Sequence, residues 1–183
     1  NGFQGTVDVN TGVTTLVASG TAVNIDDADD LITADITLQA ETAAHDGYVA
    51  TEDNAIGEGL TGLVVDSGNS DLTDLTVGGV ALDVDVDAAP ALASVTITAT
   101  MDDLHLENLP DLTSVDVSGA TIHDILFDNN DDMESVTFDN ATNLAYNATA
   151  ETGSALDVTN NADLKSLTVS GLFCIIFPIC TRI

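Results

Sequence analysis

Short runs of alternating apolar and polar residues recur along the chain at an interval of about twenty. The segments VNIDDADDLITADI, DVDVDAAPALASVTI, HLENLPDLTSVDV, LFDNNDDMESVTF and DVTNNADLKSLTV align on one apolar anchor, and VVDSGNSDLTDLTV is a looser copy. The anchors are Leu31, Leu72, Leu92, Leu112, Met133 and Leu164. Three residues after them stand Ala34, Leu75, Val95, Val115, Val136 and Leu167, and five after stand Ile36, Val77, Ile97, Val117, Phe138 and Val169. Alternation of period two marks a strand with one buried face. A second apolar pair precedes the anchor by eight and six residues, as in Val84 and Val86 or Leu104 and Leu106. Each repeat therefore predicts two short strands, and stacked repeats predict two parallel sheets with apolar columns facing inward.

Anchor separations of 41, 20, 20, 21 and 31 residues read as about six coils of about twenty, with one double interval and one insertion. Between the two strands of a coil come NLPD, NNDD, NNAD or AAPA, which is turn chemistry from Asn, Asp and Pro. Asn108, Asn129 and Asn160 share one column, and Asn130 and Asn161 the next. At a strand spacing of about 4.8 Å such amides can hydrogen-bond from coil to coil. The fold expected is all-β: a parallel β-solenoid of two sheets with capped ends.

The LxxLxL pattern of Leu72, Leu75 and Val77, and of Leu164, Leu167 and Val169, resembles the leucine-rich-repeat superfamily, especially the short leucine-rich-like coils of bacterial surface and adhesin proteins. The resemblance covers roughly residues 20–171. The Asn usual eight residues after the anchor is replaced by Gln39, Val80, Thr100, Ala120, Ala141 and Leu172, so an all-β coil is expected instead of a horseshoe with helices.

The ends break the pattern. Residues 1–22 hold two alternating runs around Asn10-Thr11-Gly12 and read as an N-terminal hairpin or cap. Residues 23–171 form the solenoid, with insertions near 39–62 and 141–155. Residues 172–183 are an apolar tail, too short to span a bilayer. Its Leu172, Phe173, Ile175, Ile176, Phe177 and Ile179 are expected to be buried, either on the chain's own last coil or in a second copy as a head-to-tail connector. Cys174 and Cys180 are the only cysteines and are read as a disulfide, with buried free thiols as the alternative.

Charge narrows the function. Lys165 and Arg182 are the only basic residues against 31 acids, for a formal charge of −29. Such a surface repels nucleic acid and anionic lipid. It calls for high ionic strength or divalent cations, which favours a secreted, extracellular protein of a saline setting. One Asp precedes the anchor in most repeats, giving Asp71, Asp111, Asp132 and Asp163 besides Asp30. This column either caps its own turns or binds Ca²⁺, the one cofactor the sequence suggests. Catalysis is not expected, because a single Lys and a single Arg leave almost no cation to stabilise a transition state. The function expected is structural or adhesive, with the chain itself as partner. The alternative is a calcium-dependent module that binds a surface glycan.

Overall fold

The alternation seen in the sequence becomes fifteen strands in a computed structural model, which describes residues 6–9, 12–25, 27–39, 62–65, 68–81, 83–145, 157–174 and 181–182. A first coil is made by β1 (Thr6–Val9) and β2 (Thr15–Gly20), and a second by β3 (Ala22–Ile25) and β4 (Thr33–Leu38). Then follow β5 (Gly62–Val65) with β6 (Asp74–Gly79), β7 (Asp83–Asp87) with β8 (Ser94–Ile97), and β9 (Thr100–Glu107) with β10 (Ser114–Asp116). The last two coils pair β11 (Thr121–Asp128) with β12 (Ser135–Ala145), and β13 (Asp157–Thr159) with β14 (Ser166–Cys174). A two-residue β15 (Thr181–Arg182) follows them.

Odd-numbered strands up to β13 form one sheet in sequence order, and the even-numbered strands form the other, with β15 on its far edge. Every neighbouring pair is parallel except β14–β15. This is a β-solenoid. No helix occurs among the described residues, so none there is long and apolar enough to cross a membrane.

Inside, the columns read from the sequence stack as one core. Leu31, Leu72, Leu92, Leu112 and Met133 are fully buried in the anchor column. Val84, Val86, Leu104, Leu106, Ile125 and Phe127 face them from the other sheet. Where the coil carries Phe127 and Phe138, the rings stack with centroids 6.4 Å apart. Backbone bonds also run through the corners: Ile32 N–H donates to Thr14 O, Thr73 to Ile32, Ala93 to Thr73, Thr113 to Ala93, Glu134 to Thr113 and Lys165 to Glu134. Each coil is thus tied to its predecessor outside the strands as well as within them. Gly79 lies at φ 92° where the chain turns back, and a Cβ there would collide with the Leu38 carbonyl oxygen.

Three expectations change. First, β1 and β2 are not a hairpin, because each joins a different sheet in parallel, β1 on β3 and β2 on β4. Their inward residues continue columns already present: Leu16 and Ala18 pack on the core in the register of Ala34 and Ile36. Second, the stack has seven coils, not six, because the N-terminal segment supplies one. Third, the 41-residue interval is not a double coil. β4 pairs directly with β6 and β3 with β5, so the residues between β4 and β5 add no strand to either sheet among the described residues.

Candidate functional site

From the second coil on, each corner between paired strands is built on a left-handed residue. Asp27, Ala88, Asn108, Asn129 and Asn160 all have φ between 51° and 56°, and Gly68 takes the same column at 85°. Asn and Asp tolerate that region through local hydrogen bonds, so their recurrence there has a backbone cause. In the following column Asn69, Asn130 and Asn161 each reach back to the preceding coil. Asn130 Oδ1 accepts from Leu109 N–H (3.1 Å) while its Nδ2 donates to Leu106 O (2.9 Å). Asn69 does the same for Ala28 N–H and Ile25 O, and Asn161 for Asn130 N–H and Phe127 O. Asn69 and Asn130 are fully buried, and no buried side-chain polar atom among the described residues lacks a partner.

A second ladder runs outside. Asn129 Nδ2 donates to Asn108 Oδ1 (2.8 Å), and Asn108 Nδ2 to Asp87 Oδ1 (2.9 Å). Asn160 turns instead to Asp128 Oδ1 (2.7 Å), which also accepts from Thr159 Oγ1 (2.8 Å). These bonds, Asn160's first, hold the Asp128 carboxyl below the ordinary carboxylate range.

The acids expected to bind Ca²⁺ stand at the far side of these corners. Asp71, Asp111, Asp132 and Asp163 are all exposed, one residue before their anchors, and Ala91 separates Asp71 from Asp111. They form a row. Among the described residues no three His, Cys, Asp or Glu groups are placed to hold one metal ion. In the same column Asp30 accepts a bond from the backbone, donated by Gly12 N–H at 2.9 Å. Cys174 ends β14 opposite Ala145, and Cys180 lies outside the described residues, as does the bridge expected between them.

A denser group of charges covers the outer face of the first sheet. Register sets Asp83 beside Asp103 and Asp103 beside Asp124, then Asp85 beside His105, and Glu107 between Asp87 and Asp128. His105 is half-buried and points outward between Leu104 and Leu106, as its place in the sequence implies. Burial, then the charges of Asp85, Asp87 and Asp128, raise the Glu107 carboxyl above its usual value, while His105 opposes the rise. The sequence carries a signal of this face in DVDVD and in the interval of about twenty between acids, but only the stacking register turns it into a patch.

The ends of the stack differ from its middle. In the anchor column Val13 is 37% exposed and Leu164 half-buried, whereas every anchor between them is fully buried. In the next column Leu16 is half-buried and Leu167 is 47% exposed, against at most 3% for the five residues between. A coil is buried by its neighbours, and among the described residues the first and last coils have one neighbouring coil each, the last with the short β15 on its outer edge. No protein-family model, curated protein or solved structure matches this chain. Its own geometry therefore carries the functional reading.

Among the expected self-association residues, Leu172 and Phe173 lie in β14, and their outer backbone edge pairs with Arg182 and Thr181 of β15. That edge is occupied by the chain itself. Ile175, Ile176, Phe177 and Ile179 lie outside the described residues. The sequence pattern does not mark the end layers of Val13 and Leu16, or of Val158, Leu164 and Leu167, as surfaces. Nothing local distinguishes a terminal repeat from an internal one.

Proposed function

We propose that this chain is an extracellular structural or adhesive subunit that associates end to end into a filament or surface layer, and that it does not act as a catalyst. The observation that carries the reading is the exposure of the same apolar columns at both ends of an otherwise sealed core. Terminal coils of a solenoid must be capped or paired, because they present unsatisfied strand edges and a cut core. The −29 charge supports the same reading from the side, since it keeps the flanks of such stacks apart and directs contact to the ends. The likeness of the LxxLxL anchors to the leucine-rich-like coils of bacterial surface proteins supports a surface location.

Light scattering after size-exclusion chromatography tests the proposal directly. Mass per particle is expected to rise with concentration and with added salt, as screening relieves the repulsion between copies. A constant monomer mass across both series would refute self-association.

A further inference from the structure

The end-to-end reading leaves the geometry of the joint unspecified, and the coil register supplies it. Resting on that reading, we propose that the first coil of one copy seats on the last coil of another in the register that joins coils within the chain. Val13 then covers Leu164, Leu16 covers Leu167, and Thr15–Gly20 pairs in parallel with Ser166–Gly171.

The columns themselves point to this register. Thr15–Gly20 pairs with Thr33–Leu38, which pairs with Asp74–Gly79, and the column of Thr15 runs on through Ser94, Ser114 and Ser135 to Ser166. An eighth coil in the same register would place a residue of the Thr15 type next to Ser166. The available edge has the right length. Among the described residues β15 pairs with the outer side of β14 at Leu172 and Phe173 alone, which leaves Ser166–Gly171, six residues, for the six of β2.

The corner ladder has a direction that the proposed joint continues. Along the corner ladder every N–H donates to the carbonyl of the preceding coil, from Ile32 onto Thr14 (2.9 Å) to Lys165 onto Glu134 (3.0 Å). By that direction the N-terminal coil offers the Thr14 N–H, and the C-terminal coil offers the Lys165 carbonyl. In that one ladder donor meets acceptor head to tail, while other bonds between coils run the opposite way, as from Asn108 N–H to Asp128 O and from Asn129 N–H to Thr159 O. Charge leaves both ends open to contact, because the first coil carries a single acid, Asp8, and in the last coil Lys165, ion-paired with Glu134 at 2.6 Å, stands with Asp157 and Asp163.

Cysteines in the outward column read the joint without touching the core. Val17 is 77% exposed and Thr168 is exposed, and the ladder sets both in one column. Adjacent strands are about 4.8 Å apart, within the Cα separation a disulfide accepts. The double variant Val17→Cys with Thr168→Cys, oxidised in high salt, is expected to give a ladder of covalent multimers. Mixing the two single variants should stop at dimers, and peptide mass spectrometry should locate the bridge between positions 17 and 168, apart from the native cysteines. A second double variant, Val17→Cys with Ser166→Cys, reports a slip of two residues and is expected to stay unbridged. Bridging of that second pair, or non-covalent oligomers without any 17–168 bridge, would overturn the register while leaving end-to-end assembly standing. Monomers alone, with native circular dichroism, would overturn both.

Discussion

Replacing Asn130 by Ala probes the inner amide ladder at a single point. The change strips Leu109 N–H of its acceptor and Leu106 O of its donor, in a corner where the Asn130 side chain is fully buried. Each buried group left without a partner costs roughly 1–3 kcal/mol, so the pair amounts to about 2–6 kcal/mol. The comparison is Asn129→Gly, which keeps the left-handed conformation and loses only an exposed bond to Asn108. That loss should stay near 1 kcal/mol or below. Urea midpoints by far-ultraviolet circular dichroism, in high salt, measure both. If the two variants lost the same stability, the buried bridge between coils would not be what holds the corner, and the matching role of Asn69 and Asn161 would fail with it.

Leu112→Ala removes a fully buried anchor and should cost about 2–5 kcal/mol, whereas Leu167→Ala, at 47% exposure, should cost roughly half as much in the monomer; equal losses in urea melts would contradict the end-layer assignment. Ala88 sits at φ 55° without a side chain suited to it, so Ala88→Gly should raise stability by about 0.5–1 kcal/mol, seen as a higher urea midpoint. The raised Glu107 carboxyl binds its proton more tightly when folded, so its contribution is fully present below the ordinary carboxylate range of about 4 and is lost as pH rises through the folded value. Glu107→Gln should accordingly melt higher than the parent at neutral pH, with the gap closing as pH falls below about 4. A gap of constant size across that range would remove the electrostatic account of this face.

Much of the fold is legible because the solenoid repeats one local rule. Period-two alternation places Leu75, Val77, Val95 and Ile97 inward correctly, and the Asn columns announce both ladders, the outer one joining Asn108 to Asn129 and the inner one running through Asn130 and Asn161. The N-terminal coil is harder. Its corner from Val9 to Val13 is two residues shorter than the one from Ile25 to Leu31, so Asn10-Thr11-Gly12 looks like a hairpin turn when read alone. Only the pairing partners, which lie a coil away in sequence, decide between an antiparallel hairpin and two parallel additions. Asp116 shows the same limit. Four residues after the anchors the sequence sets Thr76, Thr96, Thr137 and Thr168, and Asp116, like Asp35, reads as a break in that column, yet its Oδ1 accepts from both the N–H (2.9 Å) and the hydroxyl of Ser118 and so closes the turn before Gly119. The acidic face around Glu107 and the exposed end layers depend on stacking register and on position in the stack, and neither is written in any one repeat.

Electron cryomicroscopy of the protein assembled in high salt bears most directly on the central claim, that whole solenoids stack head to tail in coil register. Seven coils at about 4.8 Å each predict a polar filament with an axial rise near 34 Å per subunit, its two sheets continuous through every joint. A filament with two-fold axes perpendicular to its length, or a preparation containing only single particles, would contradict it.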